Sequence, residues 1–166
     1  MLLFTLLWSY SYTALSQVPK HIDYALDYVG LTERTGNNDG TQIEIWQRAV
    51  GVSRGANWCA VFVSAMLTKA HVKYPSIRSA LAKKFITNKS IKASQVYSYN
   101  KVIPMGYILI WTHGQTWKGH TGFVLNWKGK SGRTVEGNCQ NSVKIMYRKI
   151  EPYNYFRIIY FTPVME

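Results

Sequence analysis

Two cysteines and four histidines are the side chains of this 166-residue chain best suited to nucleophilic and acid–base chemistry. A thiol beside an imidazole forms a nucleophile–base pair: the ring takes the proton and the thiolate attacks an electrophilic carbon such as an amide carbonyl. Of the two thiols, Cys59 follows the loop Ser53-Arg54-Gly55-Ala56-Asn57 and opens an apolar segment that reads as a helix. Unpaired backbone N–H groups and the positive end of the helix dipole gather there, a setting that suits an anion. Cys139 stands next to Asn138 and is the second sulfur to account for. In an oxidising compartment the two cysteines are also a possible disulfide.

Among the histidines, His120 follows Trp117-Lys118-Gly119 and opens an expected strand. A side chain at such a sheet end faces a cleft while its backbone stays fixed. His113, ending the strand before it, is the rival base, and His21 and His71 lie in less constrained places. The carboxylates narrow the choice of a partner for the ring. Between Glu44 and Glu151 the chain has one acidic residue, Glu136, among many lysines and arginines. It closes the strand after the histidine strand, where it can accept a hydrogen bond from the imidazole and stabilise the imidazolium. Asn138 is the neutral candidate for the same task. One histidine with two cysteines lacks the four-ligand spacing of a structural zinc site, so no metal or other cofactor is expected.

The elements that must hold these residues can be read from hydrophobic period. Apolar residues at 22, 25, 26 and 29 recur at helical spacing and stop at Gly30; the stretch Thr35 to Gly40 is loop; Thr41 to Val50 reads as a second helix, with Thr41 and Glu44 in a capping-box pattern. The segment from Trp58 to Ala70 is apolar nearly all round, which predicts a central buried helix, and a shorter helix is expected over Ser76 to Phe85. After residue 100 the period changes to two, giving strands at Gly106–Trp111, Thr121–Trp127, Arg133–Glu136, Ser142–Lys149 and Tyr155–Thr162. Helices first and hairpin-linked strands second predict one α+β domain with helices packed on a C-terminal antiparallel sheet.

The runs Gly55-Ala56-Asn57-Trp58-Cys59-Ala60-Val61-Phe62-Val63-Ser64, Gly119-His120-Thr121-Gly122-Phe123-Val124 and Val135-Glu136-Gly137-Asn138 together resemble the CHAP branch of the NlpC/P60-type peptidoglycan hydrolases. The resemblance covers roughly residues 20 to 162, and its specificity lies in the combination rather than in any one run. It implies a papain-like fold with the nucleophile at the start of the central helix. It also implies Cys59 as nucleophile, His120 as base, and Glu136 with Asn138 orienting the ring. The activity implied is cleavage of amide bonds in peptidoglycan, as an N-acetylmuramoyl-L-alanine amidase or a peptide-bridge endopeptidase. Two departures stand out: Gly106-Tyr107 replaces the Gly-Asp of many relatives, and Asn57 stands near a position often held by Pro or Gln. An oxyanion site is therefore assigned to the Cys59 backbone N–H with a donor from the preceding loop, Asn57 or its neighbour Trp58. A non-catalytic wall-binding module and an acyl or peptidyl transferase with the same residues are the competing readings.

Charge bears on the partner. The chain has 20 Lys and Arg against 8 Asp and Glu, a formal +12, which favours an anionic partner such as a cell-wall polymer. The basic residues are scattered, with no basic run or zinc-finger spacing, so nucleic acid is not expected. The first charged side chain is Lys20, and residues 1–16, from Met1-Leu2-Leu3-Phe4 to Ala14-Leu15-Ser16, read as a secretory leader cleaved after Ser16. Its apolar run falls short of the roughly 18 residues of a membrane span. The expectation is an exported monomer, periplasmic or extracellular, with residues 17–166 as the working domain.

Overall fold

The computed structural model describes residues 17–150 and 158–165. The expected leader, 1–16, lies outside them, as do residues 155–157 of the last expected strand. Three helices come first: α1 (Lys20–Asp27), α2 (Thr41–Ala49) and α3 (Cys59–Lys69). The glycines expected to stop the first two, Gly30 and Gly51, hold φ of 94° and 75°, the left-handed region open to a residue without Cβ. The capping box over Thr41 shifts by one residue. Gly40, not Thr41, is the N-cap, and Glu44 Oε1 accepts the Gly40 N–H at 3.2 Å.

Helix α3 is buried on nearly every side, as its apolar sequence requires. Its one buried hydroxyl, Ser64, donates to Ser79 O at 3.0 Å and accepts from Ser79 N at 2.8 Å. That exchange explains a correction downstream. The helix expected over Ser76–Phe85 is only a 3₁₀ turn at Ala82–Phe85. Ser64 claims the Ser79 backbone, and the Arg78 guanidinium donates to the carbonyls of Val72, Pro75 and Ile77. Backbone groups that side chains satisfy in this way have no need of helical partners.

The strands are β1 (Ile91–Lys92), β2 (Val102–Ile103), β3 (Ile108–Thr112), β4 (Gly119–Lys128), β5 (Ser131–Glu136), β6 (Lys144–Lys149) and β7 (Ile159–Thr162), with a short helix α4 (Ala93–Ser98) after β1. The sheet runs β1-β7-β3-β4-β5-β6, antiparallel throughout, with β2 pairing on β4. Its two faces have separate cores. Ile108, Ile110, Phe123 and Val135 pack with the helices, while Leu109, Val124 and Phe161 pack with Ala93, Val96 and Trp127. Buried on both faces, β3 is apolar at successive positions. The architecture is α+β with few helices and an antiparallel sheet. Among the described residues no helix is long and apolar enough to cross a membrane.

Candidate functional site

Cys59 is the first residue of α3, and no side chain caps the N–H groups of that first turn. A polar network shapes the loop before it. Buried Gln47 donates from Nε2 to the carbonyls of Asn38 (2.9 Å) and Ala56 (2.8 Å), and Asn38 Nδ2 donates to Gly55 O (3.1 Å). Arg34 and Arg54 both pair with Asp39, at 3.2 and 3.3 Å. The Thr35 backbone N–H foremost, opposed by burial and aided by the two guanidinium groups, holds the Asp39 carboxyl at about 2. These bonds tie the loop before Cys59 to α2 and to the turn over residues 34–39.

The side chain of Trp58, one of the two residues considered as a second oxyanion donor, turns inward. It is fully buried, and Nε1 donates to Glu33 Oε1 at 2.7 Å. Glu33 in turn accepts the Asn38 N–H at 2.8 Å. An apolar ring with one polar handle belongs inside when that handle finds a partner, and here the partner comes from 25 residues upstream.

His120, near the start of β4, points Nε2 at Glu136 Oε2, 2.8 Å away, and the Cys59 thiol is near enough to the ring to help raise its pKa. With Nε2 on the carboxylate, Nδ1 is the nitrogen left for the thiol. Glu136 closes β5 with no exposed surface, and both its oxygens are doubly engaged. Oε1 accepts from Thr134 Oγ1 (2.5 Å) and Arg148 Nε (2.8 Å); Oε2 accepts from His120 and from Arg148 Nη2. Burial alone would raise the Glu136 pKa, but the hydrogen bonds of Arg148, His120 and Thr134 outweigh it and hold the group at about 2. Burial likewise opposes the charged form of His120. Its interactions with Cys59 and with the Glu136 carboxylate prevail and lift it to about 9.

Two adjoining clefts meet at His120. One, of about 330 Å³, is lined by Cys59, Asn57, Asn138, Leu81, His113 and Trp117 among others; the second, of about 280 Å³, by Trp111, His113, Asn138, Cys139, Gln140 and Arg148. The rival base His113 therefore stands at the rim of both. Asn138 does not take the ring-orienting place beside Glu136: its Nδ2 donates to Asn38 Oδ1 (3.0 Å) and Asn57 Oδ1 (3.5 Å), tying the end of β5 to the loop before Cys59. Both cysteines are free thiols. Cys139 sits 3.6 Å from Arg148 Nη2, and burial, with the Glu136 charge beside it, pushes its pKa up. Arg148, Thr134, Trp111 and Glu33 were not singled out by sequence. Only Glu33, acidic and just ahead of a turn-rich loop, carried a local signal.

The arrangement can hold a proton on the imidazole between a sulfur and a carboxylate, and that has a consequence for stability. His120 is raised from 6.5 to about 9, so its contribution is complete below pH 6.5 and lost as pH rises through about 9. Glu136 is lowered from 4.5 to about 2, so its contribution is complete above pH 4.5 and lost as pH falls toward 2. Thermal denaturation should therefore give the highest Tm between about pH 4.5 and 6.5, and His120→Ala should flatten the alkaline decline. An unchanged alkaline limb in that variant would assign the decline to other groups.

No curated protein and no solved structure matches the chain. A family model does: that of the CHAP domain, over residues 51–138. The matched span begins in the loop before Cys59, includes β4 with His120, and ends at Asn138 just past Glu136. With more than half of its length matched, and with the three sequence runs of the resemblance inside that span, the chain belongs to the CHAP domain family.

Proposed function

We propose that this protein is an exported, papain-like cysteine hydrolase that cleaves an amide bond of peptidoglycan, as an N-acetylmuramoyl-L-alanine amidase or a peptide-bridge endopeptidase. CHAP domains are hydrolase domains of the peptidoglycan-directed type. The single observation that carries the reading further is that His120, hydrogen-bonded to the buried Glu136, lines one cleft together with Cys59. The net charge of +12 supports an anionic wall polymer as the partner.

In the proposed reaction His120 takes the Cys59 proton at Nδ1, and the thiolate attacks the scissile carbonyl carbon. The oxyanion so formed is met by the Cys59 backbone N–H and the Asn57 carboxamide. As the C–N bond breaks, imidazolium returns its proton to the leaving amine, and a thioester remains. Water, deprotonated by the same ring, attacks the thioester; the carboxylate departs and the thiol is restored. Glu136 stays ionised and balances the imidazolium charge at each stage. Trp117, with 64% of its surface exposed at the cleft rim, offers a flat apolar face for the substrate.

Incubating the mature chain, residues 17–166, with purified sacculi should release soluble fragments bearing new amino groups, and mass spectrometry of those fragments identifies the bond cut. Absence of release, or release with new reducing sugar ends in place of new amines, would overturn the assignment. Amino-terminal sequencing of secreted protein should begin at Gln17; a start before residue 10 would contradict the proposed leader.

A further inference from the structure

We infer that Arg148 is a positioning residue of this site, fixing the Glu136 carboxylate and, through Trp111, the face of the His120 ring. The inference deepens the proposed thiol chemistry and rests on it. Arg148 lies on β6, opposite Gly132 of β5, and reaches along β5 past Thr134 to Glu136. Gly132 and Thr134 leave that path short of bulk. The guanidinium contacts both carboxylate oxygens, through Nε and Nη2, and this two-point grip sets the plane of the carboxylate as well as its charge. One oxygen keeps a lone pair for Thr134 and the other keeps one for His120 Nε2. Rotation of the carboxylate about its terminal bond would break bonds at both oxygens together.

A second route runs through an aromatic ring. The Arg148 guanidinium carbon lies 5.2 Å from the centre of Trp111, and Trp111 lies 5.4 Å from the centre of the His120 ring, tilted 39° to it. Trp111 and His120 are direct partners in the β3–β4 register. The indole is therefore held between the cation and the imidazole, and limits the tilt of the latter. A lysine supplies charge but neither the planar fork nor the stacking surface. Charge and geometry can accordingly be separated by substitution.

The groups facing Glu136 are His120 from β4, Thr134 from its own strand, Arg148 and the direct register partner of Glu136, Lys144, from β6, and Cys139 from the following turn. Of these cations only Arg148 touches the carboxylate in every protonation state of the histidine. Removing it leaves burial, the largest influence on Glu136, without its main counterweight.

The test is the pH dependence of Cys59 alkylation by iodoacetamide, read by peptide mass spectrometry so that Cys59 and Cys139 are scored separately. This readout needs no peptidoglycan. Wild-type Cys59 should react rapidly near neutral pH. In Arg148→Met the acid limb of the rate profile should move up by about one pH unit or more, lowering the rate on that limb about tenfold. Arg148→Lys should keep the acid limb near that of wild type yet lose rate across the whole range, because charge is retained and geometry is not. Far-ultraviolet circular dichroism checks folding, and if Arg148→Met does not fold, Arg148→Lys carries the test alone: a wild-type rate there overturns the inference. So does an unshifted limb in a folded Arg148→Met. An unreactive wild-type Cys59 overturns the proposed function and this inference with it, whereas reactive wild type with indifferent Arg148 variants overturns only the latter.

Discussion

Cys59→Ala should abolish fragment release from sacculi, lowering the rate by about 10⁴-fold or more, because the variant has no atom that can form the covalent intermediate. Cys59→Ser is the sharper comparison. It places a hydroxyl where the thiol was, but an alcohol is a far weaker acid than a thiol, so the imidazole of His120 would have to remove a much less acidic proton. Both variants should retain the wild-type fold, since the change removes or replaces one small side chain at the end of α3 and leaves the packing of Phe62, Met66 and Leu67 intact. The measurement is release of soluble amines from sacculi alongside thermal denaturation. Full activity in a folded Cys59→Ala protein would falsify the nucleophile assignment.

Glu136→Gln should be the next most damaging, with a loss of about 10²–10⁴-fold in kcat and a smaller change in KM. The reason lies in the donor count around the carboxylate. Arg148 donates to both oxygens, Thr134 to one and His120 to the other. A glutamine brings an NH₂ group to one of those two places. Where the nitrogen faces His120, it presents a donor to Nε2 and forces the ring proton onto Nδ1, the side of the thiol, so the ring can no longer accept a proton from Cys59. Where the nitrogen faces Thr134 and Arg148 Nε, donor meets donor in a buried setting and the side chain loses its anchor. Either outcome removes the negative charge that supports the imidazolium. Steady-state kinetics on solubilised peptidoglycan separates kcat from KM, and a variant with wild-type kcat would show that the ring needs no ionised partner.

Much of this site was legible before any coordinates because its members carry local signals. Cys59 opens an apolar helix, His120 opens a strand, and Glu136 is isolated in a long basic stretch. What escaped is what depends on pairing between distant segments. Nothing along the chain distinguishes Arg148 from the other basic residues; its role is created by the β5–β6 register. Trp58 adjoins Cys59 and was considered as an oxyanion donor, yet its indole is buried with Nε1 on Glu33. Asn138 lies two residues past Glu136, and its φ of 53° turns it away toward Asn38 and Asn57. The helix expected over Ser76–Phe85 failed for a similar reason, since Ser64 from α3 engages both the N–H and the carbonyl of Ser79, and Arg78 the carbonyl of Ile77. Elements β1 and β2, at two residues each, are too short to show a period.

Glycine holds two of the closest approaches in this site. A methyl group at Gly122 would lie 2.5 Å from Glu136 Cγ, and one at Gly137 would lie 2.5 Å from Phe62 Cβ and 2.9 Å from the Trp58 ring. The cluster of Cys59, His120 and Glu136 is therefore specified as much by absent atoms as by present ones. In a saturation screen scored on wall lysis, these two positions should tolerate replacement about as poorly as Cys59 itself, although neither has any functional group to lose. The cleft can accordingly be reshaped at its exposed rim, at Trp117 and Leu81, but not at Gly122 and Gly137, where any added side chain meets the packed residues beneath.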